Sequence, residues 1–234
     1  MRLSATLTIG LLLSCLAPLA PAQTAPAPAP GGTPPPASDI GKGLPPRVAS
    51  TDYQGQARAG AFSIGAEFMG HSVPSGERAY MTEEYLVVET GLYGAAGAHL
   101  TLTVSDFSLR VTTGGKNGKP LKTVTLDGVP FGAVLRSLKD PEWEQQAASE
   151  TKKEKEDQTQ KAKPGDIPPN PKRMPFEMIR PMQLQVRKAV LPEGDRELPQ
   201  AGLIFFESRI REENIRSVEL LYKGPAGEAT LVLQ

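Results

Sequence analysis

Leu203-Ile204-Phe205-Phe206-Glu207 and Val218-Glu219-Leu220-Leu221-Tyr222 decide the fold class of this chain. Each is a short apolar run, rich in aromatic and β-branched residues and too brief for a helix. Both therefore read as strands. Between them stand Ile215 and a polar loop. After them, Gly224-Pro225-Ala226-Gly227 makes a turn, and Ala229, Leu231 and Leu233 alternate in a last strand.

Working back towards the N-terminus, the same signals recur. Phe62, Ile64 and Phe68 fall at even spacing in 61–70, and Tyr85-Leu86-Val87-Val88 is a β-rich run. Leu100, Leu102 and Val104 alternate with Thr101 and Thr103. The alternation resumes with Phe107, Leu109 and Val111 on the other parity, so a bulge or tight corner is expected at Ser105-Asp106. Val124 and Leu126 open a further short strand. Seven or eight strands with turns between them, and no βαβ rhythm, point to a mainly β domain of the β-sandwich type.

Two helices interrupt this pattern. Phe131, Val134, Leu135 and Leu138 follow helical spacing over 130–139, with Asp140-Pro141 as the stop. Over 176–190, Met178, Ile179, Met182, Val186, Ala189 and Val190 fall on one arc, with Pro181 on the outer side. Between the helices, about 142–173 is Gln, Glu, Lys, Ala, Pro and Asn with little to bury. It reads as a charged, disordered insertion, with an exposed helix over 144–163 as the alternative. Trp143, the only tryptophan, opens it.

The stretch Leu191-Pro192-Glu193-Gly194, the Gly202–Glu207 and Val218–Tyr222 strands, and Tyr85–Val88 followed by Ser105-Asp106-Phe107-Ser108-Leu109 resemble small immunoglobulin-like domains of bacterial secreted proteins and lipoproteins. The resemblance implies an immunoglobulin-like β-sandwich with two short helices flanking a disordered insertion. It carries no catalytic residues, because the shared features are core and turn patterns.

The N-terminal region directs the chain out of the cell. Met1-Arg2, an apolar stretch from Leu3 to Leu16, and Ala20-Pro21-Ala22 form the pattern of a secretory signal, with cleavage expected between Ala22 and Gln23. Leu12-Leu13-Ser14-Cys15 is a loose lipobox, which would make Cys15 a lipidation site and a lipid anchor the chain's only membrane contact. Ten prolines lie in 18–46, so 23–55 reads as an extended tether and 56–234 as the domain. The expected location is periplasmic or extracellular.

Composition narrows the function. The 26 basic and 26 acidic residues balance, and the one dense charge run, Glu150–Asp157, carries both signs, so nucleic acid is not an expected partner. Cys15 is the only cysteine, which excludes a disulfide or a thiol nucleophile in the domain. No nucleophile elbow, P-loop or zinc-protease motif occurs, and no cofactor is called for. The leading expectation is a non-enzymatic interaction or structural module of the envelope, with an envelope protein as partner and Trp143 beside the helix pair as its surface. One alternative is a copper-binding protein using Met69, His71 and His99, since thioether and imidazole ligands suit copper. The other is a hydrolase whose site no motif reveals.

Overall fold

Leu203, Ile204, Phe205 and Phe206 are all buried. Successive strand residues point to opposite faces, so such a run needs cover on both sides. The computed structural model, which describes residues 41–114, 120–159 and 173–234, supplies it. Ile204 and Phe206 point into one core with Leu86, Val88, Phe107 and Leu220. Leu203 and Phe205 point into a second, with Val87, Val134, Met182 and Val186.

The first five strands are β1 (Gly55–Ala59), β2 (Phe62–Gly70), β3 (Ser72–Ser75), β4 (Arg78–Thr82) and β5 (Tyr85–Tyr93). Then come β6 (His99–Leu102), β7 (Phe107–Thr113), β8 (Lys122–Val129), the one-turn α1 (Phe131–Val134) and β9 (Leu138–Lys139). Helices α2 (Pro141–Thr159) and α3 (Phe176–Ala189) follow, then β10 (Gly194–Glu197), β11 (Gln200–Glu207), β12 (Ile215–Gly224) and β13 (Gly227–Val232).

Eight strands form one antiparallel sheet in the order β1-β2-β5-β11-β8-β7-β12-β13. The β-sandwich expectation is therefore overturned. A sandwich divides its strands between two sheets, whereas here β11 joins the halves by pairing Phe205 with Val129 and Phe206 with Gly128. The sheet curls until β13 lies beside β1 and nearly closes a barrel. At this seam a Cβ on Gly55 would stand 2.7 Å from the Val232 carbonyl oxygen, so only glycine allows the approach. Inward-facing side chains from the whole circuit, Ile64 to Leu231, fill the interior as one cluster.

The second core lies outside the sheet. It is roofed by α3, α1 and a small sheet ordered β3-β4-β9. On α3, Met182, Val186 and Ala189 are buried and Pro181 is exposed, as the periodicity over 176–190 requires; of the other residues on the expected arc, Met178 is exposed and Val190 lies just past the helix end. The helix expected over 130–139 is shorter: α1 ends at Val134, and Leu138-Lys139 pairs with β4. The parity slip at Ser105-Asp106 is a 3-10 turn, Val104–Asp106, that carries the chain from β6, in a two-stranded sheet with β10, into the main sheet.

Two further differences have local causes. The segment from about 142 opens as a helix, the alternative reading rather than disorder: α2 begins at Pro141, three residues before the expected start at 144. Asp140 caps it, its Oδ1 accepting from the Glu142 N–H at 2.9 Å and the Trp143 N–H at 3.4 Å. Asp-Pro here starts a helix as well as ending one: aspartate is a strong N-cap and proline a favoured first residue. Secondly, the chain already packs on the domain before residue 56. The Leu44 N–H donates to the Ala201 carbonyl at 2.8 Å, and Tyr53 is buried. The signal region, Cys15, Ala22, Gln23 and the tether up to residue 40 lie outside the described residues, all of which belong to one compact unit. No helix among them is long and apolar enough to cross a membrane.

Candidate functional site

Three places on this framework gather charged or aromatic side chains. The first is a clasp over β2 and β5. Glu67 and Glu89 are direct cross-strand partners, a pairing of like charges that costs stability unless a cation lies between them. Arg47 supplies it. Its Nε and Nη2 donate to the two Glu89 carboxylate oxygens at 3.2 and 3.1 Å, Nη2 also pairs with Glu67, and Nη1 donates to the Asp52 carbonyl at 2.8 Å. The guanidinium centre sits 4.2 Å over the Tyr53 ring. That side chain lies on Gly65 and Gly91, themselves cross-strand partners: a Cβ on Gly65 would stand 2.5 Å from its ring, and one on Gly91 2.5 Å from its hydroxyl and 2.8 Å from its ring.

The electrostatics agree with a closed clasp. Burial opposes the Arg47 charge, but hydrogen bonds and the charges of Glu89 and Glu67 outweigh it, and its pKa is raised. Burial, followed by the Tyr53 hydroxyl, holds the Tyr93 phenol well above its ordinary range, while its O–H donates to the Arg47 carbonyl at 3.0 Å. The clasp binds the chain to itself, with all three guanidinium nitrogens engaged within the protein.

The second place is a cleft of about 740 Å³ between the β4–β5 turn and the β11–β12 loop. His71 stands in its wall. Nδ1 is 2.8 Å from the Tyr85 carbonyl oxygen and Nε2 is 2.9 Å from that of Ile210, while the His71 backbone N–H donates to Glu212 at 2.8 Å. Both ring nitrogens thus face backbone oxygens, and a metal would need one of those lone pairs. Met69 packs against the second core. Met81 lines the cleft and is exposed. His99 does not line it; it sits on β6 with Nδ1 3.3 Å from Asp195. The structure therefore does not gather Met69, His71 and His99 into one ligand set. Among the described residues no three His, Cys, Asp or Glu side chains are placed to hold a metal ion.

The other groups of this cleft are engaged with each other. Arg209 pairs with Glu84 at 2.6 Å, Lys139 with Glu83 at 3.0 Å, and Arg211 with Glu213 at 4.0 Å. The Thr82 and Ser137 hydroxyls lie 2.9 Å apart, and that of Ser137 also reaches the Val134 carbonyl. Neither imidazole has a hydroxyl partner among the described residues, so no base-activated nucleophile is assembled there.

The third place is a cleft of about 450 Å³ where α1, the end of α3 and β10 meet. Phe131, Leu135, Val190 and Pro192 form apolar walls, and Arg187 and Arg196 stand at its edges. The walls are fixed from behind. Gln183 Nε2 donates to the Leu135 carbonyl at 3.0 Å, the Tyr85 O–H to that of Ala133 at 3.1 Å, and the Leu191 N–H to that of Leu203 at 3.0 Å. Phe131 stacks obliquely on Phe205, ring centroids 6.0 Å apart. Neither arginine has an ion-pair partner among the described residues; Arg196 Nε donates to the Glu193 carbonyl at 3.0 Å. Sequence reasoning missed this cleft. Arg187 reads as the polar side of a helix and Arg196 as part of a polar turn, and no motif links them.

Trp143, the expected partner surface, is half-buried in the first turn of α2, which touches β4. It is not part of any of these three places. No protein-family model, curated protein or solved structure matches this chain.

Proposed function

We propose that this chain is an exported, non-enzymatic interaction module of the bacterial cell envelope, and that its binding face is the helical cover of the sheet. The leader-and-tether pattern of residues 1–40 supports export. The observation that carries the binding face is the contrast between the two clefts. In the wider one, each charged side chain of the lining already has a partner within the protein, Glu212 through the His71 backbone N–H and the others through ion pairs. In the narrower one, a preformed apolar wall meets two guanidinium groups with no ion-pair partner among the described residues. Binding sites combine these features: mostly apolar lining with a few polar groups that fix orientation.

The test is partner retention. Affinity purification of the tagged protein from native envelopes is compared between the wild type and Arg187→Glu/Arg196→Glu. Both arginines are exposed, so the double variant should fold normally. The expected result is a co-purifying component whose recovery falls about tenfold or more in the variant. Equal recovery from both proteins would place the binding face elsewhere.

A further inference from the structure

We infer that the cleft between α1, α3 and β10 takes an amphiphilic monocarboxylate, an apolar body ending in a carboxylate. The inference rests on reading that cleft as the binding face and assigns the chemistry of its occupant. The cleft's charge balance sets the anion. Arg187 and Arg196 contribute two positive charges, and Glu193 is the single carboxylate in the lining. Glu193 is partly occupied already, its Oε1 accepting from the Val104 N–H at 3.1 Å. One positive charge is left over, which a monoanion balances.

Geometry favours a carboxylate over a point charge. The Arg196 Nε–H is held by the Glu193 carbonyl, so its remaining N–H groups stay available. Guanidinium forks match the two oxygens of a carboxylate. The apolar walls set the rest of the ligand: Phe131, Leu135, Val190 and Pro192 offer no side-chain hydrogen bond, so an all-polar anion would leave them wet. The walls are held by the backbone and side-chain bonds described above, so little ordering accompanies binding. Free organic acids and the C-terminal residue of a polypeptide both present this chemistry.

The experiment titrates the ¹⁵N-labelled protein with 3-phenylpropionate and with N-acetylphenylalanine, following amide shifts. The controls are 3-phenylpropan-1-ol, which lacks the charge, and acetate, which lacks the body. Saturable shifts confined to 131–135 and 187–196, with both controls about tenfold weaker or more, are expected. Arg187→Gln/Arg196→Gln should weaken binding about tenfold or more, and Glu193→Gln should strengthen it. Tighter binding of N-acetylphenylalanine would identify a polypeptide terminus as the source; tighter binding of 3-phenylpropionate would identify a free acid. Binding of the alcohol as strongly as the acid, shifts elsewhere, or no saturation by about 10 mM would overturn the inference. If partner recovery still depended on the two arginines, only the ligand class would fall; if it did not, the binding face would fall with it.

Discussion

The β5–β11 pair and the β7–β12 pair belong to one sheet, yet they carry opposite patterns. Tyr85–Val88 and Leu203–Phe206 are apolar without a break, because both of their faces are covered, one by the barrel interior and one by α3 and its neighbours. On β7 and β12 mostly alternate residues are buried, and the outward positions, Leu221 apart, are polar. Arg110 faces Glu219 at 2.8 Å, Thr112 faces Thr123 at 3.0 Å, and Ser108 faces Asp127 at 3.2 Å. The difference teaches where to look for function. The half that is bare already satisfies its outward groups across the strands. The half that is roofed carries the cleft whose two arginines have no ion-pair partner among the described residues.

The largest expected effects come from breaking the roofed pair. Phe206→Ala empties the barrel interior and Phe205→Ala the outer core, each costing about 3–5 kcal/mol in chemical denaturation. They should differ in kind: Phe205→Ala alone should loosen α1 and α3, read as faster amide exchange in those helices at an intact barrel. Equal exchange in both variants would mean that the two cores are not separable. Next is Gly91→Ala, whose Cβ must displace the Tyr53 ring, with an expected loss of about 1–3 kcal/mol. A neutral result would show that Tyr53 does not rest there.

Arg47→Ala leaves Glu67 and Glu89 facing each other without their cation, and about 1–2 kcal/mol should be lost. Tyr93 sharpens the same region through pH. Burial raises its pKa from 10.0, so the folded chain keeps a proton that the unfolded chain releases. The contribution is complete below about pH 10 and is lost as pH rises beyond it. Tyr93→Phe has no such proton and should lose stability less steeply between about pH 10 and 12; parallel curves would contradict the assignment. The smallest effect belongs to the bare face, where Glu219→Ala removes one exposed pair and should stay within about 0.5 kcal/mol.

Much of the strand pattern was legible in the residues. The runs at 85–88 and 203–206 and the alternation at 107–111 and 229–233 depend on local periodicity, as does the buried face of α3. Closure was not legible. An inward-facing residue such as Leu109 or Leu220 looks the same in a sandwich and in a barrel, and what separates them is the pairing of Phe206 with Gly128, far apart in sequence. Strands with little apolar content were also hidden: β1 is Gly-Gln-Ala-Arg-Ala, and all four residues of β10 are exposed. Asp140-Pro141 carried a helix-start signal that its helix-stop reading masked. The candidate site was illegible for a different reason. Arg187, Arg196 and Leu135 acquire a shared meaning only when α3 docks on α1.

The most direct measurement places a photo-activated cross-linking residue at Leu135, on the roofed half, or at Arg110, on the bare half, in cells that make the protein natively. Capture of one reproducible envelope component from position 135, absent from position 110 and lost with Arg187→Glu, is the predicted result. Capture from position 110 and not from 135 would contradict the account, because it would put the binding face on the side where every outward group described above already has a partner.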